Sequence, residues 1–435
     1  MTMKIWALAL TFGLTAPAAA QLLGSGSLGG GGLGHTLGGV TGGLLGAPGD
    51  NAEVAGGLRG PLMAVGGTVR SLAPADLLSL RRERLRALVR SNRAALDVDD
   101  EGNPIRRDEI LGLGLPADAL ARAEAAGFSV TRTETVSGLG FTAAVLAPPR
   151  GMPARKAIET LRALDPADTY TLDHIYEPAH APLAPTGGPP AGGALPSAGS
   201  RIGMIDGGVG RHPAFAHAEI EQRGFAGEPK PSGHGTAVAS LMVGNVGAFR
   251  GAAPGAPLLV ADVYGGSASN GSALAIVRAM AWLAQNGARA INISLIGPPN
   301  PLLEAGVKAL MAKGILVVAA VGNDGPAAPP QYPASYPGVI AVTGVDAKGK
   351  ALIEAGKPLH LDFAAPGADM AGAVPGGGWE ALRGTSFAAP LVTASLARTG
   401  SVDALATEAR PGSGKIGRGI VCGECRTPPK SVGLK

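Results

Sequence analysis

Between residues 104 and 178, short apolar runs alternate with amphipathic stretches. Residues 110–115, 128–136, 139–146 and 170–175 read as strands, while 116–126 and 153–164 carry the apolar spacing of helices. The order βαββαβ predicts a small ferredoxin-like α+β unit. From Arg201 onward the pattern changes. Residues 201–205, 257–263, 290–294, 315–321 and 339–342 are almost continuously apolar, as expected of strands covered on both faces. They alternate with helical segments at 235–244, 272–286, 301–313 and 385–398. That alternation predicts an α/β fold, a parallel sheet with helices on both faces. In such folds reactive side chains collect at the carboxyl ends of strands and at helix N-termini.

The flanking segments differ in kind. Residues 74–96 read as a helix with an apolar stripe of Leu77, Leu78, Leu85, Leu88 and Val89. Its other side carries Arg81, Arg82, Arg84, Arg86, Arg90 and Arg93, and reads as a solvated face. Asp97, Asp99, Glu101 and Asp108 loosely follow calcium-loop spacing, but Pro104 and Ile105 break the register and a plain turn serves equally. Residues 22–60 are glycine-rich without any period, a linker composition. At the start, Lys4, an apolar run at 5–14 and Ala18-Ala19-Ala20 read as an export signal. The expected division is therefore a signal peptide (1–20), a Gly-rich linker (21–70), a basic helical segment (71–103) and the ferredoxin-like unit (104–178). A Pro/Gly/Ala linker suited to proteolysis (179–199), the α/β domain (200–421) and a Cys-containing tail (422–435) complete it.

Composition narrows the function. The chain has 435 residues, 46% of them hydrophobic, enough for a large core, while 69 glycines and 36 prolines leave part of it loose. A net charge of +4 and 4% aromatics argue against nucleic-acid binding. No run reaches the roughly 18 apolar residues of a membrane span. An exported protein, periplasmic or secreted, is expected.

Three segments carry the chemistry. Ile202-Gly-Met-Ile-Asp206 places Asp206 at a strand end, Ser232-Gly-His234-Gly-Thr236 places His234 at a helix start, and Gly384-Thr-Ser386-Phe-Ala-Ala-Pro390 does the same for Ser386. Singly these are a turn acid, a cap-region histidine and an N-cap serine. Together, in the order Asp, His, Ser, they resemble the subtilisin-like serine proteases, the subtilases, over residues 200–421. Gly322-Asn323-Asp324-Gly325, after an apolar strand, is similar to the family's oxyanion-hole segment. The resemblance implies a serine endopeptidase of subtilisin-like fold with Asp206, His234 and Ser386 catalytic, and with Asn323 and the Ser386 backbone N–H binding the oxyanion. The chemistry explains the residue types. A serine hydroxyl is a poor nucleophile until a neighbouring base takes its proton, and a neutral imidazole near pH 7 suits that task.

The resemblance also suggests the substrate groove. Ser294, Leu295, Ile296 and Gly297 look like the segment that pairs with substrate as an added strand. Ile296 stands where relatives usually carry glycine, so a crowded groove and small-residue or altered specificity are expected. Ala319, Gly322 and Gln331 resemble pocket walls, with Asp324 on the rim. The family commonly carries an N-terminal prodomain that templates folding and blocks the groove, which gives the ferredoxin-like unit the role of intramolecular inhibitor; a permanently attached domain is the alternative. No cofactor is implied, no metal ligand set stands out, and calcium is left open for want of a clear cluster. Cys422 and Cys425 read as a small local disulfide. A protein or peptide is the expected substrate, and the competing function is a non-catalytic binding protein on a subtilase fold. An α/β-hydrolase would place its serine in Gly-x-Ser-x-Gly ahead of the acid and histidine, and no such elbow is present.

Overall fold

The computed structural model describes residues 73–179 and 201–434. The predicted signal peptide and Gly-rich linker lie outside the described residues, as does the 180–199 stretch of the predicted processing linker. Among the described residues, no helix is long and apolar enough to cross a membrane.

The chain opens with α1 (Pro74–Ser91), β1 (Leu96–Val98), β2 (Pro104–Leu113), α2 (Ala117–Ala125), β3 (Ser129–Val136), β4 (Phe141–Ala147), α3 (Ala154–Leu164) and β5 (Thr169–His174). The βαββαβ order matches that read from periodicity. β1, which the sequence reading assigned to the helical segment before 104, pairs antiparallel with β2 and so belongs to the same sheet. In that sheet β2 lies between β4 and β5, and β3 is an edge. Residues 143–146 of β4 are buried on both sides of the sheet, which accounts for their unbroken apolar run. Ala144 and Leu146 pack with Ala157, Ile158 and Leu161 of α3. Ala143 and Val145 turn the other way, into a core shared with the second domain.

The calcium-like residues serve this N-terminal unit. Asp99 accepts from the Asn103 backbone and side chain at 2.7 and 2.9 Å and meets His174 Nε2 at 3.2 Å. Asp97 meets Arg107 at 3.4 Å.

After a two-residue strand, β6 (Glu177–Pro178), the α/β domain begins. Its strands are β7 (Arg201–Asp206), β8 (Ile220–Gly224), a small hairpin of β9 (Asn245–Val246) and β10 (Phe249–Arg250), β11 (Leu258–Asp262), β12 (Ala288–Ile293), β13 (Leu295–Ile296), β14 (Leu316–Ala320), β15 (Ile340–Val345), β16 (Phe363–Pro366), β17 (Ala368–Val374) and β18 (Gly378–Arg383). The helices are α4 (Gly233–Val243), α5 (Ala273–Gln285), α6 (Pro301–Ala312), α7 (Ala389–Thr399) and α8 (Val402–Glu408). Seven strands form a parallel sheet in the order β16-β15-β14-β12-β7-β11-β8. Side-chain alternation divides the interior in two. Val317 and Ala319 face the core that holds α5 and α6, whereas Val318 and Ala320 face the one that holds α4 and α7. Continuous apolar strands are the direct consequence.

The two domains share one hydrophobic core, with Leu111, Val136, Ala143 and Val145 packed among residues of α5 and α6. Polar contacts orient that packing. Asp173, buried, caps α5 by accepting from Leu274 N at 3.1 Å, and burial pushes its carboxyl up to about 6. Arg278 meets Glu134 at 2.6 Å in a two-pronged pair. Asn300 donates to Leu172 O at 2.9 Å.

One buried group makes no such bargain. Glu380 on β18 is buried, its Oε1 has no hydrogen-bond partner among the described residues, and burial pushes its carboxyl up from the ordinary 4.5 to about 8. The folded state therefore holds a proton that the unfolded chain releases, and stability falls as pH rises from about 4.5 through about 8. Glu380→Gln is expected to melt at least about 2 °C above wild type at pH 9, with the difference shrinking near pH 5. Thermal melts at the two pH values check it; equal shifts at both would count against a protonated Glu380.

Candidate active site

The order of the sheet sets the place. The chain leaves β7 toward β8 and β11 on one side and returns to β12 on the other, so a crevice opens at the carboxyl ends of these central strands. Asp206 ends β7, Ser294 follows β12, and Gly322-Asn323 follows β14. His234 and Ser386 come from helix starts that face the same crevice.

Asp206 is fully buried, and its Oδ1 accepts from Gly207 N at 2.7 Å. Both carboxylate oxygens lie 2.9 Å from His234 Nδ1. An Nδ1–H donated to that carboxylate leaves Nε2 as the imidazole's basic nitrogen. The Ser232 side chain caps α4 by accepting from Gly235 N at 2.8 Å, which fixes the helix end that carries His234. The His234 ring lies 5.3 Å from the ring of Phe387, beside Ser386 in chain and space. Ser386 sits in the 3-10 turn Thr385–Phe387, just before α7, and its carbonyl accepts from Ser294 Oγ at 2.9 Å. Its own Oγ is buried and finds no hydrogen-bond partner among the described residues. A buried hydroxyl left unspent is unusual where packing alone is at stake.

Asn323 is held from one side. Its Oδ1 accepts from Thr385 N at 2.9 Å, and Gly322 N donates to Thr385 Oγ1 at 3.1 Å. The amide Nδ2 is thereby aimed at the crevice, where it donates to the carbonyl oxygen of Ala179. Ala179 is the last described residue after the N-terminal domain, and it lies in the groove. Ala179 N donates to Ser294 O at 2.9 Å, Glu177 and Pro178 pair antiparallel with Ile296 and Leu295, and Tyr176 N donates to Gly271 O at 2.7 Å. Residues 175–179 thus lie as a strand between Gly271–Ser272 and Ser294–Gly297.

The remaining groove residues divide by position. Ile296 and Gln331 are buried, and both side chains reach toward Gly322. Gly297 lies under the Tyr176 ring, and Tyr176 donates its hydroxyl to Pro298 O at 2.6 Å. Ala319 belongs to the sheet's core. Asp324 lies at the groove's edge against α1. There the sequence reading needs correction: the arginine face of α1 is not simply solvated, since Arg81 and Arg84 meet Asp324 at 3.2 and 3.0 Å. Thr385 and Gly271 are contributors that the sequence reading did not single out. Thr385 could have been flagged by its place beside Ser386, whereas Gly271 lies in an unremarked loop.

An acid–imidazole pair, a buried hydroxyl and an amide on a carbonyl in the groove are the parts that a serine endopeptidase uses. The comparisons agree. Residues 197–409 match the subtilase family. Subtilisin Savinase of Lederbergia lenta is 35% identical over 213 residues, 47% of this chain and 77% of its own length. An alkaline protease of Alkalihalobacillus alcalophilus is 35% identical over 47% of this chain and 54% of its own. This chain belongs to the subtilase family. Fervidolysin from Fervidobacterium pennivorans shares the fold, with a TM-score of 0.61 at 20% identity over 75% of this chain and 61% of its own.

Elsewhere, Cys422 and Cys425 form a disulfide with Cα atoms 5.2 Å apart. With Glu424 they make up the His/Cys/Asp/Glu grouping of metal-site size among the described residues, and the disulfide takes both thiols.

The glycine of Gly-His-Gly-Thr has a steric cause. A Cβ on Gly235 would collide with the carbonyl oxygen of Gly207, in the loop that follows Asp206. Gly235→Ala must therefore push the His234 helix away from its carboxylate. We expect at least a tenfold loss of protein hydrolysis and about 1–3 kcal/mol of stability. Wild-type activity together with a wild-type melt would show that the approach is not limiting.

Proposed function

We propose that the protein is an exported endopeptidase synthesised as a precursor, and that residues 73–179 form its prosegment. We further propose that it cleaves itself between Ala179 and His180. One observation carries the reading: the carbonyl of Ala179 accepts from the Asn323 amide while residues 176–178 pair with the groove. That is the posture of a substrate's acyl side, supplied by the chain itself.

In this reading Asp206 holds the His234 tautomer and stabilises the imidazolium that forms. His234 Nε2 takes the Ser386 proton as Oγ attacks the Ala179 carbonyl carbon. The carbonyl oxygen becomes an oxyanion held by Asn323 Nδ2 and Ser386 N–H. Collapse expels the amine of His180, which receives the proton from His234, and leaves Ala179 as an ester on Ser386. Water, activated by the same imidazole, hydrolyses the ester. The chain's own side chains supply every proton transfer. Asn323 needs Thr385 behind it, because an amide that could rotate would lose the aim that stabilises developing charge.

The residue before the cut is small for a physical reason. Ile296 and Gln331 both reach toward Gly322 in the groove, and in this reading they leave room for a methyl group and not for an aromatic ring. The processed enzyme should favour small residues there in foreign substrates too.

Intact mass and N-terminal mapping of wild type beside Ser386→Ala test the precursor. Wild type is expected to shorten to a chain beginning at His180, while Ser386→Ala stays long. Two long chains would remove the prosegment reading, and a serine-directed fluorophosphonate that also left Ser386 unlabelled would favour a binding role. Asn323→Ala should lower kcat by about 10²–10³-fold. In peptide-library profiling, Ile296→Gly should raise cleavage after Phe or Tyr relative to Ala by at least about tenfold. An unchanged profile would mean that Ile296 does not set the pocket.

A further inference from the structure

The helix α1 lies outside the βαββαβ order, yet it docks beside the groove. Leu77 packs on Gly325, so closely that a Cβ there would come within 2.9 Å of it. Arg84 Nη2 meets Asp324 Oδ1 at 3.0 Å, and Arg81 Nε meets Oδ2 at 3.2 Å. The same Arg84 Nη2 reaches Glu177 at 3.3 Å, and its Nε is 3.3 Å from that carboxylate. The Asp324 side chain is only 5% exposed. Arg84 is thus inserted between two carboxylates, one belonging to the groove and the other to the third residue before the proposed cut. The departure of α1 would take away both arginines that pair with Asp324 here and would open its carboxylate to the groove.

We propose that Asp324 forms a cation subsite of the mature enzyme, selecting Lys or Arg at the third residue before the scissile bond. In the precursor the α1 arginines occupy that subsite. The inference rests on residues 73–179 being a removable prosegment. It also gives the prosegment's own sequence a meaning. Glu177 is tolerated beside Asp324 only while Arg84 stands between them. Once α1 departs, the cleaved end Tyr176-Glu177-Pro178-Ala179 faces a like charge and is a poor ligand. A substrate with Lys at that place instead brings the missing counterion itself.

The test uses the processed enzyme and two anilide substrates, Tyr-Lys-Pro-Ala and Tyr-Glu-Pro-Ala. We expect kcat/KM for the Lys peptide to exceed that for the Glu peptide by at least about tenfold at low salt, with the ratio falling as ionic strength rises. In Asp324→Asn the ratio should fall toward one. The salt series on wild type stands by itself should that variant fail to mature. A wild-type ratio near one, a ratio indifferent to salt, or a ratio kept in Asp324→Asn would each overturn the subsite. Failure to hydrolyse either peptide, with Ser386 unlabelled by a fluorophosphonate, would overturn the protease reading and this inference with it. Hydrolysis without a Lys preference overturns the inference alone.

Discussion

The main-chain pairing of residues 175–179 with the groove is the constraint around which the structure is arranged. Backbone bonds from Tyr176 to Gly271 and from Ala179 to Ser294 fix this segment in register, so that one particular carbonyl meets Asn323. A slip of one residue would turn every side chain to the opposite face. Pro178 suits the position, since it has no N–H to leave unpaired. The N-terminal domain must then sit where its last strand can feed that register, which places its sheet on α5 and α6.

That docking resolves what the N-terminal sheet could not resolve alone. Its central strands β2 and β4 carry apolar residues on both faces, but its own helices cover only one. The second face is completed by α5 and α6, with the Asp173 cap and the Arg278–Glu134 pair fixing the angle of approach. The two domains therefore complete each other's cores.

Within the crevice, rigidity comes from close approach rather than from bulk. Gly235 lets the His234 helix touch the Asp206 loop, while Thr385 ties the Ser386 turn to the Asn323 loop from two directions. Two pairs of segments from different strands are held together in this way. The disulfide lies elsewhere, in the tail after Val421.

Much of this was written locally in the chain. Strand burial on both faces, the βαββαβ order and the identity of Asp206, His234, Ser386 and Asn323 follow from apolar runs and short motifs, because each depends on neighbours a few residues away. Ile296 drew notice for the same reason, as an oddity inside a recognisable segment, and the structure places it beside Gly322. The role of α1 was not. Its arginines read as a solvated face because their partners are remote in sequence: Arg84 and Asp324 are 240 positions apart. β1 was missed because three residues carry too little period to register, and only pairing with β2 makes them a strand. Which carbonyl meets the Asn323 amide likewise required the tertiary structure. The sequence offered a loose, proline-rich stretch as the expected place of cleavage, and the backbone register sets the carbonyl of Ala179, at its edge, on the Asn323 amide.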